Sequence, residues 1–178
     1  MARKSLFAHA LIAALALAAA APIYADGEPG SWQAQKTELN YMGFTTTYSC
    51  DGLQSKLEML LRQLGARSDA KVQAFGCDRF NAPSKFARAT LSFASLHPAA
   101  GDAEAAVPGG WRTIEFAPDR PFALQEGDCE LIEQFRDKVL PLFATRALEG
   151  RVTCVPHQVS TFSLRFQVFA LIPATRSK

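Results

Sequence analysis

The strongest constraint in this chain is a pair of cysteine brackets. YSCDGLQSKLEMLLRQLGARSDAKVQAFGC (Tyr48 to Cys77) and GDCELIEQFRDKVLPLFATRALEGRVTC (Gly127 to Cys154) each open on a cysteine, run through a helix-like segment and close on a second cysteine. The match extends outward. Trp32 precedes Cys50 by 18 residues (50 − 32), and Trp111 precedes Cys129 by the same 18 (129 − 111). Arg67 and Arg146 keep the offset of 79 that separates the tryptophans (146 − 67, 111 − 32). Each closing cysteine is followed by an alternating run that ends in proline, ATLSFASLHP (Ala89 to Pro98) and FSLRFQVFALIP (Phe162 to Pro173). The agreement reads as an internal duplication, with the Ala-, Gly- and Pro-rich PAAGDAEAAVPGG between the halves as a loop.

Each half can be read further. Trp32 to Tyr48 and Trp111 to Phe116 have the β-branched and aromatic content of strands. Leu53, Leu57, Leu60, Leu61 and Leu64 form one helical stripe, and Gly65 sits where a helix stops. In the second half Ile132, Phe135, Val139 and Phe143 keep a stripe that Pro141 should kink or end. Asp128, Glu130 and Glu133 crowd its first turns, where the helix dipole favours carboxylates. Lys71 to Gly76 and Gly150 to Thr153 read as short strands. The expected fold is α+β: two similar β-α-β-β units packed with pseudo-twofold symmetry, each with one helix on an antiparallel or mixed sheet. The expected boundaries are 1–25 for a signal peptide, 26–98 for the first unit, 99–110 for a linker and 111–178 for the second unit. Units this small are marginal alone, so a shared core is expected.

The same lengths propose the cross-links. A helix of about 15 residues is ~22 Å long, and a returning strand of about seven residues spans nearly the same distance. A strand antiparallel to its helix would bring Cys77 back to Cys50, and Cys154 back to Cys129 if the second helix stops near Pro141. The expected disulfides are Cys50–Cys77 and Cys129–Cys154, each worth on the order of 3 kcal/mol on the chain-entropy view.

An even cysteine count suits an oxidising compartment, and the N-terminus agrees. Arg3 and Lys4 precede the apolar run SLFAHALIAALALAAAA, Pro22 breaks it, and Ile23-Tyr24-Ala25 offers a cleavage site before Asp26. The run is short for a membrane span, and none is expected after cleavage. The chain has 19 basic and 17 acidic residues. Losing Arg3 and Lys4 with the signal leaves 17 of each, so the mature form is neutral. Its basic residues are scattered among acids, which argues against nucleic acid and against an anionic membrane surface. The location read from these features is periplasmic or secreted.

Chemistry is harder to find. Cys154-Val155-Pro156-His157 is a lone Cys-x-x-His where structural zinc usually shows two close pairs, so no metal site is assigned. Cys129 at a helix start with His157 as base would suit a thiol enzyme, but the duplication gives Cys129 a structural twin in Cys50. There is no G-x-S-x-G, Walker loop or G-x-G-x-x-G, so no catalytic residue and no cofactor is assigned. Asp51, Glu58, Asp128, Glu130 and Glu133 read first as helix caps and solvated faces. His97-Pro98 reads as a turn at a strand end. Trp32 and Trp111 could line a groove and stack on a sugar or peptide, although covering the ends of the core is the plainer reading. MGFTTTYS (Met42 to Ser49) could be an exposed edge for strand addition by a partner.

The segments YSCDGL…AKVQAFGC and GDCELIEQFRDKVLPLF…TCVPHQ resemble those of a group of exported, uncharacterised proteobacterial proteins. The resemblance covers most of the mature chain. It implies export and transfers no functional residue.

The functional expectation is an exported, non-catalytic binding or interaction module of the bacterial envelope with a protein, peptide or glycan partner. Its rivals are a small periplasmic enzyme with an acid–base site between the units, and a thiol–disulfide protein. Non-reducing peptide mapping of the exported protein is expected to show an N-terminus at Asp26, Cys50 linked to Cys77 and Cys129 linked to Cys154. A free Cys129 or Cys154 would sink the scaffold reading of the second half.

Overall fold

Serine 49 opens the first helix, α1 (Cys50–Gln63), by accepting a hydrogen bond at its Oγ from the Gly52 N–H at 3.1 Å. Leu53, Leu57, Leu60 and Leu61 of this helix are buried, which is the expected stripe. It ends at Gly65, whose φ of +75° is readily available only to glycine. There the Ala66 N–H donates to Leu61 O and the Gly65 N–H to Arg62 O, the paired bonds of a Schellman stop. A computed structural model describes residues 27–77, 82–100, 106–121, 123–159 and 164–174. The expected signal segment lies outside the described residues.

Strands β1 (Glu28–Met42), β2 (Lys71–Phe75), β3 (Phe86–Pro98), β4 (Val107–Phe116), β5 (Thr145–Val152) and β6 (Leu164–Pro173) form one sheet in the order β2-β3-β1-β4-β6-β5. All its pairings are antiparallel. The second helix, α2 (Cys129–Lys138), stops short of Pro141, which falls in a single 3-10 turn, Leu140–Leu142. The two cysteine pairs close as expected, Cys50 with Cys77 and Cys129 with Cys154, each with Cα atoms 5.7 Å apart.

The expected two-unit architecture is corrected here. Glu28, Pro29 and Gly30 of β1 pair with Gly109, Pro108 and Val107 of β4, so the two halves run together as one continuous sheet. A single hydrophobic core then spans both. Leu39, Tyr41, Leu91, Phe93, Phe116, Phe166 and Val168 on one sheet face lie against Leu57 and Leu61 of α1 and Ile132 and Phe135 of α2. The second helix packs on β1, a strand from the other half. The shared core expected of units this small does form, but under one sheet that β1 and β4 join over three residues each rather than between two packed units. The boundaries move too. Val107–Gly110, read as linker, already belong to β4, and β5 begins at Thr145 rather than Gly150. The strand read from Trp32 to Tyr48 ends at Met42.

A smaller apolar layer sits on the opposite face where the halves join. Leu96 and Leu171, the cross-strand partners of Trp32 and Trp111, are both buried there. Gly30 and Gly109 make room for them. A Cβ on Gly109 would lie 2.9 Å from Leu96 Cδ2, 3.0 Å from the Glu28 carbonyl and 3.1 Å from Leu171 Cδ1. Gly109→Ala is expected to lower stability in urea unfolding by about 1–3 kcal/mol through this crowding. Gly110→Ala, whose Cβ would meet nothing within 4 Å, should leave it unchanged or slightly raised.

Candidate functional site

Of the five carboxylates singled out from sequence, Glu133 is half-buried on α2, and the other four divide into two groups. Glu58 sits on the solvated side of α1, accepting from Gln54 Nε2 at 3.3 Å and from Arg62 Nη2 at 3.5 Å. Asp51 lies exposed in the first turn of that helix. Asp128 and Glu130 are buried at the start of α2 and tie the halves together. Asp128, 2% exposed, accepts from the Tyr48 hydroxyl, from Lys56 Nζ and from the Gln125 N–H at 2.7 Å. Glu130 Oε2 accepts the N–H groups of Phe44 at 2.7 Å and Thr45 at 3.0 Å, and Oε1 accepts the Thr45 hydroxyl at 3.2 Å. Thr46 Oγ1 completes the seam by donating to Gly127 O at 2.7 Å.

This seam corrects the reading of MGFTTTYS. Those residues do not form an edge strand; past Met42 they fold over the start of α2 because Glu130 and Gly127 take up their polar groups. Burial first, and the Asp128 carboxylate second, push the Tyr48 hydroxyl well above the usual tyrosine range. Burial, then Glu130 and Asp128, push Tyr41 the same way. Both tyrosines stay neutral in the folded protein, which suits Tyr48 as a donor to Asp128 and Tyr41 as a donor to Thr46 O at 2.6 Å.

The tryptophans are engaged by their own chain. Arg146 lies over the Trp111 ring at 3.8 Å and Phe169 stacks on it at 5.7 Å, while the indole N–H donates to Glu28. Arg67, itself paired with Asp69, stands 5.9 Å over Trp32. Two guanidinium–indole contacts thus recur on residues 79 apart (111 − 32, 146 − 67), and on Trp111 Arg146 and Phe169 take up ring surface that a sugar would stack on. His97 Nε2 is 2.9 Å from Ser95 Oγ, but that serine is fully buried and donates to Leu142 O at 2.7 Å. The His157 ring rests 5.6 Å from Phe44. All four cysteines are disulfide-bonded. Among the described residues no group of three or more His, Cys, Asp or Glu could hold a metal ion, and no helix is long and apolar enough to cross a membrane.

Sequence reading missed the surface at the other end of the sheet. Met42 faces Phe86 across the strands, and Phe75 faces Arg88, so register puts all four on the face away from the helices. Phe86 is 61% exposed, Met42 49% and Phe75 43%. Phe44 shares a groove with Met42 and continues this exposed apolar surface, and exposed Val155 lies in the chain between Cys154 and Pro156 of the same groove wall. These five are most of the seven large exposed apolar side chains among the described residues, gathered at one end. Two grooves flank Met42 and share it with Asn40. One, of about 560 Å³, is walled by Phe75, Phe86 and Arg88; the other, of about 350 Å³, by Phe44, Glu133, Gln134 and Pro156. Gln134 fixes the divide by donating from Nε2 to Met42 O at 3.0 Å and accepting the Met42 N–H at 3.2 Å.

No family model, curated protein or solved structure matches the chain.

The one signal for this surface was a mismatch in patterning. Phe75 and Phe86 stand where the neighbouring outward positions at this end of their strands carry Lys71, Gln73, Arg88 and Thr90, but register alone shows that they meet Met42.

The seam has a pH signature. A pKa raised on folding means that the unfolded chain loses its proton first, so stability is intact below pH 10 and falls as pH rises above it. Urea midpoints taken between about pH 9 and 11.5 should fall above pH 10, with each buried tyrosine contributing up to about 1.4 kcal/mol per pH unit. Tyr48→Phe should be less stable at neutral pH yet show a slope shallower by one proton. An unchanged slope would mean that Tyr48 ionises as freely folded as unfolded.

Proposed function

We propose that this protein is an exported, non-catalytic interaction module of the bacterial envelope, and that its contact surface is the apolar end formed by Met42, Phe44, Phe75, Phe86 and Val155. The observation that carries this reading is the gathering of exposed apolar side chains on one end of a disulfide-braced scaffold. Contiguous apolar surface of this kind is usually retained for contact with a partner. Export is supported by the two closed disulfides, by the N-terminal charge and hydropathy pattern, and by the resemblance carried by the cysteine-bracketed segments.

The enzyme reading asks for carboxylates facing a cleft. Of the two that lie between the halves, Asp128 is buried on donors of the chain itself, and Glu130, although it lines the smaller groove, has both oxygens taken by Phe44 and Thr45. A binding module needs a rigid platform, and the same bonds provide it by fixing the Phe44 loop beside the grooves.

The test is site-specific photo-cross-linking in living cells. A photoreactive phenylalanine analogue at position 86 is expected to give a discrete adduct. The same analogue at position 148, where Leu148 is also exposed but lies on β5 at the far edge of the sheet, is expected to give none. Absence of any adduct from position 86 overturns the reading.

A further inference from the structure

We infer that the occupant of the apolar end is a second copy of this chain, docked about a twofold axis close to Met42. The inference rests on the reading of this end as a contact surface and names what covers it. Its basis is the way charge is laid out across the two grooves.

On one side of Met42 the groove is flanked by Arg88, and Lys85 precedes Phe86 in the chain. On the other side the carboxylates are Glu130 and Glu133. Glu130 is consumed by the N–H groups of Phe44 and Thr45, which leaves Glu133 as the acidic group at the surface. Among the described residues Lys85 and Arg88 make no ion pair, and Glu133 has no partner at ion-pair distance, although its charge is felt by Arg136 on the same helix. Crossing the surface therefore runs from basic, through apolar, to acidic, with Met42 in the middle.

A twofold axis through the middle of such a surface superposes unlike ends. It sets Arg88 of one copy against Glu133 of the other, and repeats that contact in reverse, while Met42 and Phe86 of both copies share the dry centre. A surface of this kind is self-complementary, which is what an isologous dimer requires. Other occupants match it less well. An anionic bilayer would meet Glu133, and the surface is grooved where membrane insertion needs apolar side chains that protrude. A uniformly acidic or basic peptide would suit one groove and be repelled by the other.

The test uses the full mature chain in sedimentation equilibrium up to about 100 μM, a range that detects micromolar association. The wild type is expected to dimerise, and Phe86→Glu, a change at an exposed side chain, to stay monomeric with an unchanged circular dichroism spectrum. Arg88→Glu and Glu133→Lys are each expected to weaken the dimer about tenfold. Combining them should return the affinity to within about threefold of wild type, because the swapped charges again face each other. A contact between these two residues predicts that rescue, and a twofold one further predicts that association stops at the dimer, where a head-to-tail contact would build larger species. A double variant no tighter than the singles overturns the proposal. So does a wild type that is monomeric throughout. If that monomer still gives an adduct of another mass from position 86, the second copy is excluded and the interaction reading survives. A monomer that gives no adduct overturns both.

Discussion

One buried carboxylate sets the arrangement of this molecule. Asp128 precedes α2, and its partners come from elsewhere: Tyr48 from the approach to α1, Lys56 from within that helix, Gln125 from the preceding turn. Leaving such a charge without partners would cost several kcal/mol, so the helices are constrained to meet where all three donors converge. Cys50 lies two residues beyond Tyr48, and Cys129 follows Asp128 directly. Each covalent brace therefore begins close in sequence to this network and closes, over a Cα separation of 5.7 Å, just past the end of its own half's edge strand, β2 or β5.

The opposite side of the molecule is joined quite differently. There β1 and β4 pair over only three residues each, Glu28–Gly30 with Val107–Gly109. Two glycines let Leu96 and Leu171 lie over the junction, with an arginine-capped tryptophan on either side. The halves are thus held by polar bonds under the sheet and by apolar contact over it. Neither contact would be complete within a single half.

How much of this could be read from the chain follows from the range of each interaction. The leucine stripe, the Gly65 stop and the ending of α2 before Pro141 depend on neighbours within a few residues, and the sequence shows them. The cysteine pairing was legible because helix and strand have fixed rises that can be compared. MGFTTTYS was misread because its hydroxyl-rich composition suits a strand, while its fate is decided by Glu130, 85 residues away from Thr45. The packing of two units, each on its own sheet, was misread for a similar reason. Alternating patterns reveal that strands exist, but not that β1 will continue the sheet through β4. The apolar end needed register as well, since Phe75, Phe86 and Met42 come from three strands and meet only once the pairing is known.

Each disulfide joins cysteines that are consecutive in the chain, first with second and third with fourth, at separations of 27 and 25 residues. A polypeptide threaded amino end first into an oxidising space delivers Cys50 and Cys77 before either later thiol appears. The native partner of each newly arrived second thiol is then also the thiol that arrived just before it. Order of arrival favours the correct pairing over the two crossed ones, and a simple dithiol oxidase can complete the set with no shuffling of bonds already made.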